Sequence, residues 1–349
     1  MDMKRDYYED VQFLNSTAKT VWFGLLMIAL CGFPFIASDY AIYIVNYIAI
    51  NVIVVLGLNL LVGYTGQVSL GHAGFMAIGA YATVLLMIRL HVPFLLALPA
   101  AGLLSAAFGF LLALPALRLE GPYLAIATLG FGLALTQIIG RVQLFGGHMG
   151  VQAPEWALGS WTINTSLERY FVIIFFAVVL ALVMRNMVHL RLGRAFVAIR
   201  DNDIAAAVMG VNVSYYKTLA FATSAFYAGV AGGLWAFVLG YINPGMFNLV
   251  LSVLFLAMVV VGGAGSVLGS ILGAAVVSFL SLKLEAVQTI PWLGDSLRFL
   301  SRKWMSESGL PNVSFVFLGL ILMAIVIFEP LGLYGIWMRI KRYWRTWPF

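Results

Sequence analysis

The sequence predicts an all-α membrane protein, a polytopic helical bundle of about ten crossings with glycine-broken helices. Three observations carry this. Of the 349 residues, 62% are hydrophobic and only 10% charged, against about 25% charged in an average globular domain. The apolar runs are continuous and long enough for a helix to cross a bilayer, without the alternation of an outer-membrane barrel. No polar stretch is long enough for a separate soluble domain, so residues 1–349 read as one transmembrane domain.

The apolar runs fall at 20–38, 40–62, 66–90, 92–117, 122–140, 169–188, 217–240, 248–262, 266–283 and 312–331. In segment 1–19 four acids (Asp2, Asp6, Glu9 and Asp10) precede an apolar run that starts late, near Thr20, so the segment does not resemble a cleaved signal. Orientation follows from Lys and Arg. With both ends cytoplasmic, the inner side takes thirteen of the 20 cations, among them Arg118, Arg185, Arg191, Arg194, Arg200, Lys217, Arg339 and Lys341. The outer side keeps Arg89, Arg141, Arg169, Lys283, Arg298, Arg302 and Lys303. Loop 284–311, with Pro291, Trp292 and Trp304, is expected on the outer membrane surface, and Glu285, Asp295 and Glu307 offset its cations. The tail 335–349 interleaves Trp337, Tyr343, Trp344 and Trp347 with cations, as an interfacial anchor does. The net charge of +6 therefore reports orientation and anionic lipid, not nucleic acid. A lone Cys31 forms no intrachain disulfide.

The run from Gly63 to Tyr81, GYTGQVSLGHAGFMAIGAY, departs from lipid-facing composition. Its glycines each cost roughly 1 kcal/mol in a helix relative to alanine. Backbone that leaves the helix at membrane depth needs protein or water around it. The run therefore reads as a broken or re-entrant helix, buried and lining a solute path. Candidate path residues are Asn59, Gly66, Gln67, Ser69, Gly71, His72, Phe75 and Met76, with Thr128 and Phe131 opposite. A carboxylate would sit against N–H groups freed around Gly66–Gly71, where a half-helix begins. Blander roles compete. His72 would bond a neighbouring helix carbonyl, Gln67 and Ser69 would join helices, and Gly71, Gly74 and Gly79 would allow close packing. Gly63-Tyr64-Thr65-Gly66 is echoed by Gly262-Gly263-Ala264-Gly265, followed in both places by Leu-Gly, here ending at Gly269. Paired glycine-interrupted segments point to a transporter's central site.

Segment 189–216 is the second informative stretch. It reads as a short helix at 194–199, a polar break at Asp201-Asn202-Asp203, a second helix at 204–209 and a stop at Gly210. Phe196, Ile199, Val208 and Met209 are too apolar for a solvated loop and imply a partner. Asp201 is either a helix cap or a partner contact. Arg118 and Glu120 read as a boundary anchor. No GxxxxGK[ST], HExxH, CxxC or nucleophile elbow occurs, so no nucleotide, metal or enzymatic site is expected. Carboxylates (Asp39, Glu120, Glu168 and Glu329) sit at span ends, unlike the buried relays of ion-coupled carriers.

Four stretches together resemble the larger, M-type permease subunits of bacterial ABC importers for branched-chain amino acids. They are GLNLLVGYTGQVSLGHAGFMAIGAY from Gly57, LRLEGPYLAIATLGFG from Leu117, GRAFVAIRDNDIAAAVMGVNVSYYKTLAF from Gly193 and MVVVGGAGSVLGSILGAA from Met258. The resemblance implies a second, H-type permease, two ATPase subunits that bind ATP and magnesium, and a periplasmic solute-binding protein, in a bacterial inner membrane. It makes 193–217 a coupling helix docked in an ATPase groove, through Gly193, Arg194, Ala198, Ile199, Arg200, Asp201, Asn202, Ala205, Ala206 and Gly210. One element departs from the family: Phe145-Gly146-Gly147-His148-Met149-Gly150 keeps the glycines of a Thr-Gly-Gly-x-Asn/Asp-Gly loop but lacks the Thr and the Asn. That leaves urea, short amides, aromatic acids and, more distantly, sugars open beside amino acids. A stand-alone carrier or channel, and a scaffold without transport, are the rival classes.

Overall fold

The computed structural model describes residues 17–119, 121–154, 156–158, 161–163, 165–287, 319–325, 327–329 and 331–346. The expectations for segment 1–16, Glu120, loop 288–311, the run 312–318 and Trp347 lie outside these residues. The chain is helical almost throughout, in the order α1 (Thr17–Ile36), α2 (Asp39–Asn59), α3 (His72–Leu90), α4 (Phe94–Ala116), α5 (Pro122–Arg141) and α6 (Ser166–His189). There follow α7 (Arg191–Asp201), α8 (Asp203–Val208), α9 (Val213–Leu239), α10 (Leu249–Gly262), α11 (Val267–Val287) and α12 (Gly332–Thr346). Eight helical stretches among the described residues are long and apolar enough to span a membrane, and α1 is apolar over the shorter stretch Thr20–Ile36. Residues 319–325 of the last expected span are helical.

Helix α9 is the hub. It packs on α2, α3 and α4 through small residues that let backbones approach. A Cβ on Gly79 of α3 would fall 2.0 Å from the Gly229 carbonyl oxygen of α9, and one on Gly57 of α2 would lie 2.7 Å from Tyr227 Cβ. A Cβ on Gly109 of α4 would meet Ala225 at 2.5 Å.

The meeting points set directions. His72, Gly79 and Thr83 meet Ser224, Gly229 and Gly233 in rising order, so α3 runs parallel to α9. Tyr47 meets Trp235 while Gly57 meets Ser224, so α2 runs antiparallel to it. Gly57 and His72 therefore lie at one level, although 15 positions apart in sequence. Between them the chain descends about 10 Å through the end of α2 and a π-turn, Leu60–Tyr64, then climbs back without helix. The helix expected from residue 66 begins only at His72. Gly66 adopts φ +72°, a conformation that ends a right-handed helix and suits glycine.

The echoing turns meet. Asn59 Oδ1 accepts from Gly265 N–H at 2.9 Å, and its Nδ2 donates to Ser266 O at 2.9 Å and Ser270 Oγ at 2.7 Å. A Cβ on Gly63 would lie 2.2 Å from Gly265 N. Gly263 and Gly265 have φ of +107° and +81°, and the C-terminal helix α12 starts on the same turn, Gly332 packing against Gly263. The turns at 63–66 and 263–266, the 190–212 loop and the start of α12 thus share one end of the bundle. At the other end two short strand pairs form: β1 (Val151–Gln152) pairs with the distant β4 (Tyr241–Ile242), and β2 (Trp156–Leu158) with β3 (Trp161–Ile163) in a hairpin.

Asn59→Leu is expected to destabilise the chain by about 2–4 kcal/mol, because it strips partners from buried backbone groups on the second turn. Denaturation of the purified protein in detergent measures this; a loss below about 1 kcal/mol would show that the clamp is dispensable.

Candidate functional site

Two helices begin halfway along the bundle. Helix α3 starts at His72, level with Ser224 of α9. Helix α10 starts at Leu249, because residues 240–248 return from the far end of α9 through a strand and one 3-10 turn rather than as a helix. The two starts touch: Ser252 Oγ accepts from Ala73 N–H at 3.0 Å. Asn248 caps α10 by accepting from Leu251 N–H at 3.0 Å. Helix N-termini carry partial positive charge and free donors, which suits an anion.

A narrow crevice, with room for about one water molecule, lies between these starts and α5. Leu70, Ala73 and Gly74 form one wall, Leu129, Gly132 and Leu133 another, and Phe247, Asn248, Leu249 and Ser252 the third. Apart from Asn248 and Ser252 the lining is apolar. On the side of the strand pair, Tyr81 stands between Phe145 and Phe247, with ring centroids 5.7 and 6.4 Å away, and its buried hydroxyl has no partner among the described residues. Tyr241 OH donates to Met149 O beside the β1–β4 pair, tying loop 146–150 to β4. The glycines kept in that loop pack there: a Cβ on Gly150 would clash with Ile242 O at 2.1 Å.

The residues expected on the path divide into several groups. Thr128 does face the break: its Oγ1 accepts from Leu70 N–H at 3.0 Å and donates to Ala125 O. Gly71 packs on Thr128 O, and Gly132 of α5 on Gly71 and Gly74. Ser69 Oγ accepts from Gly71 N–H at 3.4 Å, and Gln67 N–H returns to Leu61 O at 2.9 Å. Ser69 and Gln67 are buried. Asn59 lies below this level as the clamp between the turns. Phe75 and Phe131 pack with centroids 5.3 Å apart and planes tilted by 42°, beside Ala225 and Ala228 of α9, and Phe75 does not line the crevice.

His72 is fully buried and turned toward α9. Its partner is a hydroxyl, not the expected carbonyl: Nε2 lies 2.7 Å from Ser224 Oγ, which itself donates to Gly57 O at 2.6 Å. Ser224 spends its proton on Gly57, so His72 donates from Nε2, and its buried Nδ1 has no partner among the described residues. This chain of bonds joins α2, α3 and α9 at the level of the break.

Phe247, Asn248, Leu249 and Ser252 were not singled out in sequence. An Asn just before an apolar run is a helix-start signal, and it was the available clue.

The 190–212 loop has two faces. Asn202, not Asp201, caps α8, accepting from Ala205 N–H at 2.9 Å. Asp201 pairs with Arg200. Phe196 and Ile199 are buried on the chain's own bundle, Phe196 against Tyr216, so they are not free for a partner. Gly193 and Ala206 are also buried, whereas Arg194 and Ala205 are exposed and Ala198 half-buried. What remains outward is α8: Ile204, Val208 and Met209 are 75%, 82% and 84% exposed. Gly210 ends it at φ +86°. Lys217 Nζ holds Asp203 Oδ2 at 3.2 Å and keeps that carboxyl below its ordinary value. A lowered value means the tie holds at neutral pH and is lost only as pH falls through it.

A double-mutant cycle of His72→Ala and Ser224→Ala is expected to show coupling of about 1 kcal/mol in unfolding free energy. Additive losses would mean that the pair does not act as a unit.

The family model for "Branched-chain amino acid transport system / permease component" matches residues 40–327. The chain is 34% identical to the high-affinity branched-chain amino acid transport system permease protein LivM of Salmonella typhimurium, with 74% of this chain and 67% of the relative covered. It is 33% identical to LivM of Escherichia coli over the same shares. No solved structure matches the chain. The match covers both broken turns, both half-helix starts and the α7–α8 loop, and the chain belongs to the branched-chain amino acid transport system permease family, as a multi-pass membrane permease.

Proposed function

We propose that the chain is the M-type permease of an ATP-driven importer in a bacterial inner membrane, moving branched-chain and other hydrophobic amino acids. The observation that carries the substrate class is the crevice where the N-termini of α3 and α10 meet. Two helix starts favour a carboxylate. Leu70, Leu129, Leu133 and Phe247 offer an aliphatic side chain an apolar wall. Urea and short amides bring no carboxylate and no apolar body, and so use neither feature. Ser252 and Asn248 hold helix-start N–H groups; a carboxylate, once the crevice widens to admit it, takes over that role.

The relatives are named as parts of a branched-chain amino acid transport system. A homologous H-type permease, two ATPases that bind ATP and magnesium, and a periplasmic binding protein complete this one. Helix α8 presents three adjoining apolar side chains at the end of the bundle richer in cations, which fits an ATPase groove. That end is then cytoplasmic. It carries Thr17 and the amphipathic α12, whose Trp337, Arg339, Lys341 and Tyr343 are exposed for a lipid surface.

Uptake of labelled leucine by the assembled transporter in proteoliposomes tests both halves. Excess valine or isoleucine is expected to compete, while urea leaves uptake unchanged. Deletion of Ile204–Met209 is expected to abolish uptake while the permease remains membrane-inserted. Normal uptake by the deletion would end the coupling role, and competition by urea alone would end the substrate assignment.

A further inference from the structure

We propose that Arg200 is the positioning residue through which movement of the α7–α8 loop reaches both glycine-broken turns. This rests on reading that loop as the lever of an ATPase. Arg200 closes α7. Its Nη1 donates to Gly63 O at 3.0 Å, the carbonyl exposed where the π-turn loosens the end of α2. Its stem covers Gly66, where a Cβ would fall 3.3 Å from Arg200 Cγ. The same Nη1 lies 3.1 Å from the Cβ position of Gly265, on the second turn. The other edge of the fork is fixed by Asp201 Oδ1, which accepts from Nε at 3.2 Å and from Nη2 at 3.0 Å.

The chemistry suits a link rather than a glue. An exposed ion pair between neighbours in sequence adds little stability; here it orients a planar fork whose free donor reaches a backbone carbonyl. Glycine at 66 and 265 leaves room for the arm and its fork, and glycine at 63 lets the two turns approach. Asn59 then ties the first turn to the second, with bonds to Gly265, Ser266 and Ser270. A shift of α7 therefore acts on Gly63 and Gly265 together. Both lead directly into the half-helix machinery: the first turn into the climb to α3, the second onto the end of α10.

Hydrogen exchange of the full chain in lipid nanodiscs, with and without its co-purified subunits, reads the link without needing ATP. Arg200→Met keeps the stem and removes the donors. It is expected to speed exchange at residues 63–71 and 263–266 about tenfold, the equivalent of one charge-assisted hydrogen bond, with α4 and the outer half of α9 unchanged. Arg200→Lys, which keeps one donor, restores part of the protection. In the assembled transporter, Arg200→Met is expected to raise ATP hydrolysed per solute severalfold while subunit association and thermal stability hold. Unchanged exchange at either turn overturns the link, and so does loosened exchange with an unchanged coupling ratio or a general loss of stability. The exchange result stands apart from the ATPase reading, which the α8 deletion tests separately.

Discussion

Backbone polar groups released inside an apolar bundle must find partners within the protein, because lipid supplies none. That constraint organises this chain. Helices α3 and α10 begin within the bundle, and the chain around the start of α3 and the turn that follows α10 are held by side chains from other elements. Thr128 of α5 accepts from Leu70, Ser252 of α10 accepts from Ala73, and Asn59 of α2 accepts from Gly265. Each bond closes a gap in one helix and at the same time fixes the position of a second. The breaks are therefore not loose segments; they are the points at which distant parts of the chain are held in register.

Close approach makes those bonds possible. Gly57, Gly79, Gly109 and Gly229 let α2, α3 and α4 press on α9 to distances at which a Cβ would collide with backbone or Cβ atoms. Association of helices in lipid draws on packing rather than on escape from water. A hub of small residues thus brings polar groups such as His72 and Ser224 within bonding distance at mid-bundle. The surface left outside that hub, on α1 and the outer sides of α4 and α5, is exposed leucine, isoleucine and phenylalanine, as lipid or a partner helix requires.

The loop between α6 and α9 shows how one apolar pattern serves two ends. Its residues read in sequence as a single partner-seeking set. In the fold, Phe196 and Ile199 turn inward and moor α7 to the bundle, and only Ile204, Val208 and Met209 remain outward on α8. Hydrophobicity said that these side chains need cover, but not from which side. The moored helix carries Arg200 to the turns, and the outward one offers a surface.

Much of the site was legible along the chain. Clustered glycines weaken a helix while single ones are tolerated in it, so the break after Tyr64 and the turn at Gly262–Gly265 followed from composition, as did the two-helix loop ending at Gly210. Composition and run length likewise set the fold class. What the sequence could not determine was which polar side chains face solute and which face protein. Asn59 looked like a path residue and is a clamp; His72 turns to Ser224; Phe247 and Ser252, unremarked in sequence, line the crevice beside α3. These assignments depend on residues more than a hundred positions apart meeting at one depth, and that is decided only when glycine-mediated contacts with α9 set the level of each helix.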